Sequence, residues 1–293
     1  MNSTPEMSAR PRALVMRVGA LGDVLLTRRL TFSLSLSGLR TTVFAPARHA
    51  LLLRADPWID GVLDSESPKF TKAFEGHWPG EAGAFDAALV ISNSAGLASA
   101  AREPAKLVIR IPPAPEESTV SVALQWSEAA RELCTPFTGS LPVLPFDPDC
   151  AVAKGLVLIH PGSGSPRKNW PKARFMELAR RLAQAGHRVV WVLGPAEADQ
   201  AGEGWGSESL DRPSLEVLAA TLGSARLFVG NDSGVSHLAA AVGAPTLAIF
   251  GPTDPLVWAP DGTRVRTVRA PNGHLGDLSI EAVEGAAVEI ARI

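Results

Sequence analysis

Short apolar runs alternate along the whole chain with longer stretches of helical periodicity. In the first half, residues 13–18 (ALVMRV), 41–46, 61–65, 85–92 and 106–111 read as strands, with helical segments near 22–37, 47–55, 94–103 and 119–134 between them. The second half repeats the scheme with strands at 155–160, 188–194, 226–230, 245–250 and 265–270. Strands apolar on both faces and interleaved with helices belong to parallel sheets covered on both sides. The clearest helix is 171–186: Pro171 suits its first position, Phe175, Leu178, Ala179 and Leu182 recur on one face, and Gly186 suits its end. Prolines at 112, 113 and 115, then LPVLPFDPDC at 141–150, interrupt regular structure. The expected domains are therefore 10–148 and 149–293, and each opens with a strand, a glycine-bearing turn and a helix. The class is α/β, two Rossmann-like doubly wound sheets facing a cleft, with the last helix a candidate to pack back on the first domain. Such sheets bind ligands at the carboxyl ends of their strands.

Composition narrows the function. With 46% hydrophobic and 20% charged residues over 293 positions, the chain can bury a sizeable core, and disorder is not expected. A formal charge of −2 argues against a nucleic-acid partner. Cys134 and Cys150 form neither a disulfide framework nor a metal pattern, and both are expected to be buried small hydrophobes. The start, MNSTPEMSARPR, lacks the apolar core of a signal sequence, so a cytoplasmic location is the expectation.

Each candidate motif has a bland alternative. The run 160–170, HPGSGSPRKNW, puts the donors of Ser163, Gly164 and Ser165 and the charge of Lys168 just before a helix. That suits a diphosphate, or it is a surface loop. Asp232, Ser233 and Gly234 open an alanine-rich helix that carries His237; they are N-caps or an anion pocket, and the histidine is packed or functional. Glu197, past the strand 188–194, could hold a ribose diol or suit a helix dipole. Asp23, after Gly22 in RVGALGDVLL, is a cap or a general base. The triplet DPD at 147–149 reads as a turn. Neither a P-loop nor a G-x-G-x-x-G between strand and helix is present.

Four motifs in order, RVGALGDVLL, HPGSGSPRKNWPKARFMELARRL, LGPAEAD and NDSGVSHLAAAVGAPTLAIFGPTDP, resemble glycosyltransferase family 9, the ADP-heptose:lipopolysaccharide heptosyltransferases. The likeness is strongest from about 155 to 260 and thin from 45 to 150. It implies a GT-B fold in which 10–148 is the acceptor-side domain and 149–293 holds the nucleotide-sugar donor, and an inverting, metal-independent transfer of a sugar, heptose by expectation, from a nucleotide diphosphate such as ADP-heptose. No cofactor beyond that co-substrate is implied. By the resemblance Asp23 is the catalytic base and Lys168 meets donor phosphate and sugar. Glu197 binds ribose. Asp232, Ser233 and Gly234 lie beside the diphosphate and sugar, with His237 in the same helix. The implied acceptor is a glycan or glycolipid of lipopolysaccharide-core type, which would bring peripheral contact with the inner membrane. Arg29 stands where the family commonly has a proline, and the short first half implies trimmed acceptor loops. Competing readings are a non-catalytic nucleotide-sugar-binding GT-B protein and a GT-B sugar-nucleotide epimerase or hydrolase.

Overall fold

The computed structural model describes residues 10–114, 119–194, 197, 205 and 208–291. A cut near residue 148 would separate the two sheets, but the compact units interleave along the chain. The first comprises residues 10–18, 29–114 and 124–137; the second takes 19–28, 119–123 and 138–291. Asp23 thus belongs by its packing to the second unit.

The first unit holds strands β1 (Arg12–Met16), β2 (Arg40–Ala45), β3 (Ile59–Asp64), β4 (Phe85–Ile91) and β5 (Ala105–Ile111) in one parallel sheet of order β3-β2-β1-β4-β5. β1 and β4 are buried along nearly their whole length, as unbroken apolar runs require. Helices α1 (Leu21–Leu36), α2 (Ala47–Leu53), α3 (Ala95–Ala100) and α4 (Val122–Ala129) follow their strands. Phe44, Phe70 and Trp78 pack ring to ring, with centroids 5.0 to 5.6 Å apart, at the centre of this core.

The second unit holds β6 (Val157–His160), β7 (Val189–Leu193), β8 (Ser209–Asp211), β9 (Leu227–Asn231), β10 (Thr246–Phe250) and β11 (Val265–Arg269), all parallel, in the order β11-β10-β9-β6-β7-β8. The chain leaves β6 toward β7 and β8, then returns on the other side at β9. The point where the order reverses therefore lies between β6 and β9, and there the crevice of a doubly wound sheet opens. Helix α5 (Lys172–Gln184) buries Phe175, Leu178, Ala179 and Leu182. It stops where Gly186 turns left-handed (φ 88°), with the amides of Gly186 and His187 returning to the carbonyls of Ala183 and Leu182. Pro171 is the residue before the helix rather than its first. Helices α6 (Leu215–Gly223), α7 (Gly234–Ala241), the short α8 (Pro255–Trp258) and α9 (Ile280–Ala291) complete the unit. The buried face of α9, Val283, Ala287 and Ile290, joins the core of this second unit, where the first had been a candidate.

The expected pair of buried cysteines is half right: Cys134 is buried and Cys150 is exposed, in a 3₁₀ turn where the Asp147 carboxylate accepts from the Asp149 amide. Burial raises the Cys134 thiol to about 11. Among the described residues no helix is long and apolar enough to cross a membrane.

Candidate functional site

The loop after β6 and the turn after β9 meet at the reversal point of the second sheet. Asn231, fully buried at the end of β9, stitches them: its Nδ2 donates to the carbonyl of Pro161 at 2.7 Å, and its Oδ1 accepts from the amide of Trp170 at 2.9 Å. Ser163 Oγ is held within the loop, with the Ser165 carbonyl at 2.7 Å and Asn169 Oδ1 at 2.6 Å as alternative acceptors for its one proton. Its hydroxyl is thus a structural tie of the loop. Ser165 lines neither of the cavities flanking that loop.

The next residue, Asp232, is buried, and its Oδ2 accepts from Lys168 Nζ at 2.7 Å and from Thr253 Oγ1 at 2.7 Å. This overturns one reading of the sequence. Asp232 does not cap α7, and Ser233, which occupies the N-cap, makes no side-chain capping hydrogen bond either. A helix whose first turn is not satisfied by a side-chain cap presents its N-terminal amides and the positive end of its dipole to whatever lies in front.

In front lies a cavity of about 330 Å³ whose walls include Asp23, Lys168, Asp232, Ser233, Gly234 and His237. Gly22, Gly164, Thr253 and Trp258 also border it. Asp23 reaches it from the start of α1, where its Oδ2 accepts from the amide of Ala20 at 3.1 Å. The capping role and a cavity-facing carboxylate therefore coexist in one residue. Two glycines allow the N-termini of α1 and α7 to approach so closely. A Cβ on Gly22 would stand 2.9 Å from His237 Cδ2, and one on Gly234 would stand 2.9 Å from Leu21 Cβ and 3.1 Å from the Gly22 nitrogen. His237 is buried beneath this contact. Burial holds its pKa below the usual histidine value against the opposing pull of Asp232 and Asp23, and Lys168 adds to the lowering. Burial thus favours its neutral imidazole.

On the other side of the 161–169 loop a second cavity, about 480 Å³, is lined by Ser163, Gly164, Asn169, Lys172, Glu197 and Trp205 among others. Glu197 accepts from the amide of Gly194 at 3.1 Å and lies so close to the end of β6 that a Cβ on Gly162 would be 2.2 Å from its Oε1. The Lys172 ammonium sits 4.3 Å from the centre of the Trp205 ring. The remainder of the PAEAD motif, Pro195, Ala196, Ala198 and Asp199, lies outside the described residues. His160, at the end of β6, donates from Nδ1 to the Val192 carbonyl at 2.8 Å, and burial lowers its pKa as well. Asn231, Thr253 and Trp258 are site residues that motif reading passed over, although the first two stand inside NDSG and GPTDP. Among the described residues no group of three or more His, Cys, Asp or Glu is arranged to hold a metal ion.

Comparison with known proteins adds a family. A family model described as glycosyltransferase family 9 (heptosyltransferase) matches residues 105–287. Lipopolysaccharide heptosyltransferase 1 of Escherichia coli K12 is 37% identical over 121 residues, 40% of this chain and 38% of that protein. The enzyme of the same name from Pseudomonas aeruginosa is 43% identical over 105 residues, 34% of this chain and 29% of that protein. The chain thus spans well under half the length of the curated relatives it matches. Among solved structures, a family 9 glycosyl transferase from Veillonella parvula superposes with a TM-score of 0.82 at 19% identity, covering 98% of this chain and 99% of that one. The E. coli heptosyltransferase WaaC with ADP gives 0.75 at 20% identity, covering 95% and 99%. These structural likenesses carry the fold, two parallel-sheet α/β units of the GT-B class.

Proposed function

Because the chain belongs to glycosyltransferase family 9, we propose that it transfers a heptose from a nucleoside diphosphate donor, ADP-heptose, to a hydroxyl of a lipopolysaccharide-core acceptor with inversion at the anomeric carbon. One observation carries the reading: Asp23, Lys168 and the start of α7 line the same 330 Å³ cavity. A sugar hydroxyl is a poor nucleophile. As its oxygen bonds to the anomeric carbon, its proton passes to the Asp23 carboxylate, and the bond from that carbon to the donor phosphate oxygen breaks. The electron pair leaves with the nucleoside diphosphate. A positioned base of this kind contributes about 10²–10⁴-fold.

The leaving diphosphate gains negative charge. Lys168 and the amides at Ser233 and Gly234 are preorganised cations and donors for it, so the proposed chemistry draws on no metal. Lys168 can swing from Asp232 to the phosphate, since its side chain is 32% exposed. The ribose diol falls to Glu197 in the 480 Å³ cavity, where the short approach to Gly162 and Gly194 fixes the carboxylate beside the strand ends. The neutral His237 forms the wall under the reacting centre. An acceptor of this class would be met at the cytosolic side of the inner membrane, and peripheral contact there is part of the proposal.

The test is a panel of ADP, UDP and GDP against the purified protein by thermal shift, followed by donor turnover with and without an acceptor. We expect ADP to raise the melting temperature most, since a ligand of the native state stabilises by mass action. Free heptose released without acceptor would instead support a hydrolase, and no response to any nucleotide would remove the reading.

A further inference from the structure

A third cavity, about 770 Å³, is not used by the reaction above. It lies at the carboxyl ends of β10 and β11 and is lined by Arg167, Pro252, Arg269, Asn272 and His274 among others. Its place follows from the order of the sheet. The 480 Å³ cavity with Glu197 sits past the ends of β6 and β7, the 330 Å³ cavity past β6 and β9, and this third one past β10 and β11. The three stand in a row along one edge of one sheet. The ridge between the last two is built twice from consecutive residues: Lys168 and Thr253 face the middle cavity, Arg167 and Pro252 the outer one.

The outer cavity is built in advance. Its floor is a sharp turn in which Asn272 and Gly273 are both left-handed, at φ 51° and 75°. The turn presses on the loop after β10, since a Cβ on Gly251 would be 2.7 Å from Leu275 Cγ and 3.2 Å from the Gly273 carbonyl oxygen. The segment behind it is tied to the start of α5: Trp170 Nε1 donates to the Leu278 carbonyl at 3.1 Å, and the Arg174 fork reaches the carbonyls of Gly276 and Leu278. Among the described residues the lining carries two guanidinium groups and an imidazole and no carboxylate. Asp254, half-buried, meets Arg269 Nη1 at 3.0 Å while also capping α8 through the Leu256 amide. One bond to Asp254 leaves most of the guanidinium's five donors for other partners.

We propose that this cavity is a phosphate subsite for the acceptor, binding a phosphate monoester on the sugar that receives the heptose. The inference rests on the donor reading, which assigns nucleoside and transferred sugar to the first two cavities; on that reading we place the acceptor beyond the transferred sugar, on the side away from the nucleotide. Two arginines suit a dianionic phosphate, which they engage by paired N–H donors, better than a neutral glycan.

The test uses the whole protein saturated with ADP, so that the diphosphate cradle is filled. Inorganic phosphate and glucose 6-phosphate are titrated by calorimetry into wild type and into Arg167→Ala/Arg269→Ala. Wild type is expected to bind both, the sugar phosphate at least threefold more tightly, and the double variant to lose at least tenfold in each while its ADP affinity stays within twofold. Unaltered phosphate binding in the double variant would overturn the proposal, as would equal affinity for the two probes, which would mark a site for free phosphate. A parallel loss of ADP affinity would assign the cavity to the donor and overturn it too. Failure of wild type to bind ADP at all would remove the donor reading first, a different outcome from any of these.

Discussion

Lys168 Nζ stands 2.7 Å from Asp232 Oδ2, joining the loop after β6 to the turn after β9 across the reversal point of the second sheet. Asp232 is 8% exposed and Lys168 32%, so the carboxylate depends on the ammonium more than the reverse. Removing the charge alone, by Lys168→Met, leaves a buried carboxylate held by Thr253 Oγ1. The cost is expected at about 2 kcal/mol, below the figure for a fully buried pair because water reaches the lysine. Lys168→Met/Asp232→Asn should regain most of that stability, yet neither variant should recover ADP affinity, which is expected to fall at least tenfold. Denaturant melts and ADP titrations of the double-mutant cycle check both halves. An additive cycle would mean that the pair is not coupled.

Asp23 has two tasks that one substitution separates. As a helix-start residue it accepts from the Ala20 amide at 3.1 Å, and an asparagine Oδ1 can accept that bond equally well. As the proposed base it must take a proton, which an amide cannot. Asp23→Asn is therefore expected to leave the melting temperature and donor affinity nearly unchanged and to lower the rate of transfer by about 10²–10⁴-fold. Single-turnover transfer beside a donor titration tests it; a variant that transfers at the wild-type rate would return Asp23 to capping alone.

Much of this arrangement is legible in the chain. The central strands announce themselves because both faces are buried, and α5 because its apolar positions keep helical spacing. The short edge strand β8, Ser209–Asp211, does not, since three residues with both ends exposed carry no apolar pattern. The site is legible as residue types but not as partners. Asp232 and Ser233 look like caps locally, and only the tertiary pairing of Asp232 with Lys168, 64 positions earlier, and with Thr253, 21 later, draws the carboxylate away from its own helix. Cys150 likewise gives no local sign that it will lie exposed in a turn.

Glycine substitutions distinguish close approach from simple helix propensity. In a solvent-exposed helix interior, Gly→Ala is expected to stabilise by about 1 kcal/mol. Gly285, in α9 with open space around its Cβ position, should do so. Gly22 and Gly234 also lie in helices, but a Cβ there meets His237 Cδ2 or Leu21 Cβ at 2.9 Å. Overpacking should make Gly22→Ala and Gly234→Ala destabilising by about 1–3 kcal/mol and should impair donor binding by moving the walls of the cavity. Melting of the three variants side by side reads the sign directly.

Acid sensitivity follows from the buried histidines. His160 and His237 are both held neutral by burial, with pKa values below the ordinary value of about 6.5 that they regain on unfolding. Below that pH the unfolded chain binds protons that the folded chain refuses, so stability falls as pH drops and is fully present above it. Each histidine contributes a slope of at most about 1.4 kcal/mol per pH unit. Asp232, Asp23 and Asp261 oppose the shift of His237, and the Val192 carbonyl and Glu197 oppose that of His160. The melting temperature is expected to decline between pH 7 and pH 5, and His160→Gln, whose amide can still donate to the Val192 carbonyl, should flatten that decline. A variant that follows the wild-type curve throughout would show that His160 takes up its proton in the folded state, and would set the acid sensitivity elsewhere.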